Sequence, residues 1–299
     1  MDKKTSRLKR GEALAFYLFI SPWILGFIFF IGGPIISSFG LSLTNYSIIN
    51  KPVFTWLANY KAMLEDPLFS KSLYNTFYYA ALFIPFGIIT SFGLAMFLNQ
   101  KVRGLAFYRT IYYLPTVVPV VASAILWLWL LNPQWGLINM GLRAIGIKGP
   151  GWLTSEEWSK PSIVLMGVWG LGTWIVIYLA GLQGIPEQLY EAAQIDGANL
   201  WHRFIYITVP MMTPTIFFTL IVGIIGSFQV FTQAYIMTAG GPVNSTLFYA
   251  LYMYRNAFNY LKMGYASAMA WVLFIIILLL TLIQFALANR WVYYEAKER

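Results

Sequence analysis

The chain has 299 residues, of which 59% are hydrophobic and only 10% are charged, so its composition indicates an integral membrane protein. The net charge of +9 comes from basic residues that flank apolar stretches and form no stripe, which excludes the usual nucleic-acid-binding surface. With no cysteine and one histidine, the sequence also excludes a disulfide framework and a Cys/His metal cluster.

Six stretches of at least 26 residues contain no charged side chain, and each can supply the roughly 20 apolar residues that span a bilayer. The predicted fold class is therefore an all-α integral membrane protein with six transmembrane helices. We expect breaks at Pro85 in the second span and at Pro115 and Pro119 in the third. The predicted spans are residues 14–42, 73–98, 110–131, 163–182, 208–232 and 265–289.

The distribution of Lys and Arg predicts the orientation of the chain. Of the 20 basic residues, 12 lie in the two termini and in the loops that follow the second and fourth predicted spans. The other 8 are spread over the three remaining loops. Because short cytoplasmic segments carry the excess of basic residues, both termini are predicted to be cytoplasmic. We expect a cytoplasmic tail at 1–13, a first transmembrane helix with an outer loop at 14–70, a transmembrane domain at 71–290 and a cytoplasmic tail at 291–299.

A polar segment between the fourth and fifth spans carries a recognisable pattern. It reads EAAQIDGANLWHRFIYITVPMMTP from Glu191 to Pro214. Its first part is rich in Ala, Glu and Gln and predicts a helix, which Gly197 should end. A second helical stretch then leads to Pro210 and into the fifth span. From physics alone, the pair of short helices is typical of an amphipathic loop at a membrane surface.

The pattern closely resembles the EAA loop of the permease subunits of bacterial ABC importers that depend on a solute-binding protein. The flanking sequences GLQGIP at 181–186 and TAGGP at 238–242 resemble the sugar-permease branch, similar to the larger membrane subunit of maltose and multiple-sugar transporters. The resemblance covers about residues 70–290. It implies a type I ABC importer-like transmembrane domain at 71–290 with a cytoplasmic coupling loop at 188–209. The loop residues that carry the resemblance are Glu191, Ala192, Ala193, Asp196, Gly197, Ala198 and Pro210.

The resemblance also implies what surrounds the chain. Its expected partners are a second permease subunit in a heterodimer, a cytoplasmic ABC ATPase dimer, an extracellular or periplasmic solute-binding protein, a neutral sugar and the lipid bilayer. The sequence has no GxxxxGK[ST] phosphate loop, so we expect no enzyme activity and no cofactor in this chain. ATP and Mg would bind the partner ATPase, and the segment Glu191–Val209 would transmit its motion. The expected location is the bacterial cytoplasmic (inner) membrane.

The content of the spans bears on the substrate. No Asp, Glu, Lys or Arg lies within the six predicted spans, although such groups usually mark ion and proton pathways. Hydroxyl, amide and aromatic groups remain, and these suit a neutral carbohydrate. The resemblance places a sugar pocket partly on the helices before and after the coupling loop. The candidate pathway residues are Trp169, Gly170, Thr173, Gly223 and Ser227. These helices carry fewer amide groups than we expect for a sugar pocket, so direct contact of this subunit with sugar stays open.

Two other classes of function remain as alternatives. A secondary transporter or channel would be favoured by an Asp, Glu, Lys or Arg within a span or by visible inverted repeats, and the sequence shows neither. A non-transporting membrane scaffold would need no coupling loop.

The predicted orientation can be tested by labelling, because the natural chain contains no cysteine. We expect single cysteines introduced at Lys61, Ser155 and Asn244 to react with a membrane-impermeant reagent in intact cells. Reaction at these positions only after permeabilisation would reverse the orientation.

Overall fold

The computed structural model describes residues 3–100 and 103–293, with side chains from residue 11 onward. It is helical almost throughout and divides into two compact units. Residues up to Glu65 form the first unit together with Tyr254–Val272, and Asp66–Met253 form the second together with the residues from Leu273 onward. Parts of both predicted tails, residues 1–2 and 294–299, lie outside the described residues.

The first unit begins with a long apolar helix, which a small hairpin follows. Its N-terminal elements are α1 (Lys3–Phe27), a π-helical segment (Ile28–Gly32), α2 (Gly33–Ser42), β1 (Thr44–Asn45), β2 (Val53–Phe54) and α3 (Ala58–Glu65). The two strands pair antiparallel, with Thr44 opposite Phe54. The helical run Gly11–Ser42 is long and apolar enough to cross a membrane, and it contains the predicted span 14–42.

A close backbone approach fixes the hairpin in the first unit. The Gly264 N–H donates to the Tyr46 carbonyl oxygen at 3.0 Å. A Cβ atom at Gly264 would lie only 2.0 Å from the Thr44 carbonyl oxygen, so only glycine fits there. The Asn59 amide donates to the carbonyl oxygens of Ser42 and Thr44, at 2.7 and 2.9 Å, and satisfies the end of α2.

The second unit contains most of the helices. They are α4 (Pro67–Leu98), α5 (Leu105–Val117), α6 (Val120–Leu130), α7 (Leu137–Ala144), α8 (Glu156–Trp169), α9 (Gly172–Gln183), α10 (Glu187–Ile195), α11 (Leu200–Arg203), a π-helical segment (Phe204–Thr208), α12 (Val209–Phe228), α13 (Thr232–Met237) and α14 (Tyr249–Tyr254). A π-helical segment (Arg255–Asn259) and α15 (Met263–Trp291) follow, and α15 belongs to the first unit as far as Val272 and to the second from Leu273.

The described residues contain four unbroken helical stretches able to cross a membrane, and six if each of two bent pairs counts as one span. The predicted span 110–131 is bent by 102° between α5 and α6, and the span 163–182 is bent by 50° between α8 and α9. In the first bend Val118 is extended, because a residue before proline disfavours the helical conformation. Pro85 and Pro115, where we also expected breaks, instead lie inside the continuous helices α4 and α5.

The core of the second unit lies where α4, α9 and α12 meet. Trp174 of α9 is buried and fills the space beside two glycines. A Cβ atom would lie 3.1 Å from the Trp174 ring at Gly87 and 2.7 Å from it at Gly223. Small residues let membrane helices approach closely, so these glycines set the separation of the three helices.

A buried amide ties the start of α4 to a distant loop. The Asn75 Nδ2 group donates to the carbonyl oxygens of Asn244 and Leu247, at 2.8 and 3.1 Å. The Asn75 Oδ1 atom accepts from the Lys160 ammonium at 3.4 Å. One fully buried side chain therefore holds the loop after α13 and the start of α8 against α4.

We expect Asn75→Leu to lower the free energy of unfolding by about 2 kcal/mol or more, because two buried carbonyls and an ammonium lose their partner. Thermal unfolding in detergent would measure the change. Ser70→Ala, at an exposed position of the same helix, is the control and should change little. Equal unfolding temperatures for the two variants would contradict this role of Asn75.

Candidate functional site

The segment with the EAA-like pattern forms two short helices joined by a tight turn. Glu191, Ala192 and Ala193 lie on α10, which ends at Ile195. Asp196 caps the helix and Gly197 has a φ angle of 79°, so the helix ends at the glycine, as the sequence predicts. Ala198 follows the turn. Pro210 lies near the start of α12, directly after the π-helical segment that joins α11 and α12 into one continuous helical run.

The turn is closed by its own hydrogen bonds. The Gly197 N–H donates to the Gln194 carbonyl at 3.0 Å, and the Ala198 N–H donates to the Ala193 carbonyl at 2.8 Å. This pair of bonds is a Schellman motif. The Asn199 side chain then accepts from the His202 N–H at 2.9 Å and caps the start of α11. The backbone conformation of the turn therefore needs no partner to hold it.

The tip of this segment exposes apolar side chains. Ile195 is 87% exposed, Leu200 79% and Trp201 65%. Apart from its two chain neighbours, no atom of the described residues lies within 4 Å of the position that a Gly197 Cβ would occupy, so the turn itself is open. Large apolar side chains at the tip of a rigid turn are typical of a surface that binds another protein.

The base of the segment packs on the core of the second unit. The rings of Phe204 and Phe92 stack with centroids 6.2 Å apart, and Phe92 contacts Tyr178 of α9. The hydroxyls of Tyr190 and Thr208 hydrogen-bond at 2.9 Å and join α10 to the π-helical segment before α12. The two helices are thus fixed to α4, α9 and α12.

The same core lines a cavity of about 570 Å³. Four of the five predicted pathway residues, Trp169, Gly170, Gly223 and Ser227, line it. Thr173 does not, and its side chain is exposed, because one residue of helix turns it about 100° away from Trp174, which does line the cavity.

Both bent helix pairs meet at this cavity. The sequence did not lead us to predict that the bends would form part of its wall. The bend between α5 and α6 contributes residues 115–120, and the bend between α8 and α9 contributes Gly170 and Leu171. Helix ends leave N–H and C=O groups without intrahelical partners, so the bends bring backbone polar groups to the wall. The sequence signals were Pro115 and Pro119, which we read only as break points.

The lining has a consistent chemical character. Tyr79 is its one ionisable side chain, and the remaining polar side chains are neutral: Thr116, Ser123, Ser227, Gln233 and the indoles of Trp169 and Trp174. The described residues contain no group of three or more His, Cys, Asp or Glu placed to hold a metal ion. Such a wall can donate and accept hydrogen bonds and can stack on an apolar face.

Comparison with known proteins places these features in one family. Residues 83–293 match the family described as binding-protein-dependent transport system inner membrane component. The probable ABC transporter permease protein YesP of Bacillus subtilis is 42% identical over 99% of this chain and 97% of its own length. The lactose transport system permease protein LacF of Rhizobium radiobacter is 36% identical over 98% of both chains.

A solved structure agrees in fold over nearly the whole chain. The crystal structure of a bacterial alginate ABC transporter in complex with an alginate pentasaccharide-bound periplasmic protein matches with a TM-score of 0.82 and 25% identity, over 97% of this chain and 98% of the matched one. The chain therefore belongs to the family of binding-protein-dependent inner membrane components, the permease subunits of ABC importers.

Proposed function

We propose that the chain is the permease subunit of an ATP-driven importer of sugars or oligosaccharides, and that it forms half of the translocation pathway. Its relatives include permeases named for lactose, for trehalose and maltose, and for arabinooligosaccharides, each matched over about 90% or more of this chain. The observation that carries the proposal is that one core supports both a cavity and an exposed two-helix loop.

The cavity is our candidate for the substrate pathway, and its lining favours a neutral carbohydrate. Among the described residues that line it, none is Asp, Glu, Lys, Arg or His. Sugar hydroxyls need neutral donors and acceptors, and sugar rings stack on aromatic faces. The lining supplies hydroxyls, an amide, backbone groups at two bends and the rings of Trp169 and Trp174.

The loop is our candidate for the coupling element, which binds a cytoplasmic ATPase through its tip. Ile195, Leu200 and Trp201 offer apolar anchors of the kind that dominate protein interfaces. ATP hydrolysis takes place in that separate subunit. A displacement of the loop would pass through Phe204 and Phe92 to Tyr178, whose hydroxyl bonds Thr219 of α12. The two helices on either side of the loop would then shift together and change access to the cavity.

The remaining partners follow from this role. A second permease would complete the pathway as a heterodimer, and two ATPase subunits would bind ATP and Mg. A solute-binding protein would deliver the sugar from the other side, and the alginate transporter was solved in complex with a pentasaccharide-bound periplasmic protein. We place the chain in the bacterial inner membrane with both termini in the cytoplasm and the loop 188–209 on the same side.

The cavity can be tested by filling it. Gly226 lines the cavity, and a Cβ there would meet no atom within 4 Å. We therefore expect Gly226→Leu to fold normally and to lower sugar uptake about tenfold or more, because the added side chain occupies the pathway. Uptake of labelled sugar into cells would measure the effect.

Gly93→Leu is the matched control for this experiment. Gly93 lies in α4 away from the cavity lining, and a Cβ there also meets no atom within 4 Å. This variant should keep its uptake and its membrane abundance. Unchanged uptake in Gly226→Leu, at normal abundance, would show that the cavity is not the pathway.

The coupling loop can be tested at Gly197. A β-branched side chain such as valine disfavours the left-handed conformation by about 1–2 kcal/mol, and any added side chain, aspartate included, occupies the open turn. We expect Gly197→Ala to lower sugar-stimulated ATPase activity modestly, and Gly197→Val and Gly197→Asp to lower it severely. Membrane abundance and pairing with the second permease should not change, because the spans are untouched.

Gly197→Asn separates the two causes of this loss. Asparagine adopts the left-handed conformation readily, so it tests the space at the turn with little backbone strain. We expect Gly197→Asn to retain more activity than Gly197→Val. Normal stimulation and normal ATPase retention in Gly197→Val would show that the loop is not the coupling element.

A further inference from the structure

A second cavity lies between the end of α4 and the junction of the two-helix loop with α12. Its volume is about 380 Å³. Apolar and polar side chains line it together: Met96, Asn99, Gln100, Leu182, Tyr190, Leu200, Arg203, Phe204 and Thr208. It shares no lining residue with the 570 Å³ cavity.

Among the described residues that line this cavity, Arg203 is the one with a charged side chain. Its backbone N–H donates to the Asn199 carbonyl at 3.1 Å, but its guanidinium makes no hydrogen bond or ion pair with the described part of the chain. The Nε atom is buried and has no partner there. A buried donor without an acceptor is unfavourable, so an acceptor from outside the described residues would stabilise this arrangement.

The charge around Arg203 is not balanced locally. The sequence contains no Asp or Glu between residues 67 and 155, so α4 and α5 bring no carboxylate to this cavity. Glu187 and Glu191 lie on α10 beside Tyr190, but both are exposed, and neither lies within 4 Å of a guanidinium nitrogen of Arg203. The cavity is therefore electropositive.

The other polar groups of the lining are suited to the same ligand. A guanidinium presents five N–H donors in a planar fork that matches the spacing of oxygens in a phosphate or carboxylate. The amides of Asn99 and Gln100 can donate from the α4 side, and the Tyr190–Thr208 hydroxyl pair stands on the other. Met96 and Leu182 provide an apolar floor.

We propose that this cavity binds the phosphate group of an anionic ligand, with Arg203 as its main contact. A phospholipid headgroup and free phosphate share this chemistry. The binding itself does not depend on the transport role proposed above, and only its consequence for coupling rests on that role.

The consequence follows from the position of Arg203. It is the last residue of α11, directly before the π-helical segment that leads into α12. The Thr208 hydroxyl, one π-helical turn later, donates to the Arg203 carbonyl at 3.4 Å. A ligand held by Arg203 and Asn99 would join the end of α4 to this turn, and would restrict movement of the loop relative to the spans.

The test compares three forms of the full-length chain purified in detergent: wild type, Arg203→Gln and Arg103→Gln. Arg103 is exposed and is also near the end of α4, so it controls for loss of one positive charge. Thermal unfolding is followed while inorganic phosphate is titrated at constant ionic strength. We expect phosphate to stabilise wild type and Arg103→Gln, and to bind Arg203→Gln about tenfold or more weakly.

A second arm distinguishes the two sources of phosphate. The same three forms are reconstituted in phosphatidylglycerol or phosphatidylcholine nanodiscs, and retained lipid is counted by native mass spectrometry. Retention of phosphatidylglycerol that depends on Arg203 and is displaced by inorganic phosphate identifies a lipid headgroup. Binding of phosphate that phosphatidylglycerol does not reduce identifies a free anion.

Equal phosphate binding by wild type and Arg203→Gln would overturn the proposal, and so would equal weakening of phosphate binding in Arg203→Gln and Arg103→Gln. A third result would also overturn it. If wild type binds no phosphate and Arg203→Gln no longer retains the partner ATPase on purification, Arg203 binds the partner protein instead.

Discussion

The contact of Trp174 with Gly87 and Gly223 sets the arrangement of the second unit. A large indole from α9 occupies the space that side chains on α4 and α12 would otherwise fill, and the distances of 3.1 and 2.7 Å to the missing Cβ positions leave no tolerance. Interiors packed at this density transmit displacement instead of absorbing it. A movement of any one of these helices must therefore move the other two or open a gap at the indole.

This constraint connects two features that lie far apart in the sequence. Trp174 also lines the 570 Å³ cavity, so the same residue that fixes the helix separation also forms part of the cavity wall. Further along α9, Tyr178 contacts Phe92 and through it the base of the loop. The path from loop to cavity thus runs through ring contacts and one hydroxyl pair, without a flexible connection.

Much of this arrangement could be predicted from the sequence, because its causes are local. Charge-free runs fix where helices can cross a membrane, and Gly197 ends a helix through its own backbone freedom. The bends and the cavities depend on contacts between distant segments. Pro119 produces a 102° bend and Pro85 none, although both are prolines in apolar runs. Thr173 and Trp174 are adjacent in sequence, but only Trp174 lines the cavity. The buried Arg203 Nε atom has no hydrogen-bond partner among the described residues, and this depends on how α4 and α10 pack around it, which the sequence does not show.

The closed turn at Gly197 has a thermodynamic consequence for association. A loop that orders only on binding loses conformational entropy at that moment, and this loss is subtracted from its affinity. Here two backbone hydrogen bonds and an asparagine cap already hold the loop in one conformation. A partner that binds its tip would meet a preformed surface, and little of the interaction free energy would go into ordering the loop. Such a surface can bind and release a partner without refolding. The proposed coupling role would need this, because the ATPase would move the loop once in every transport cycle.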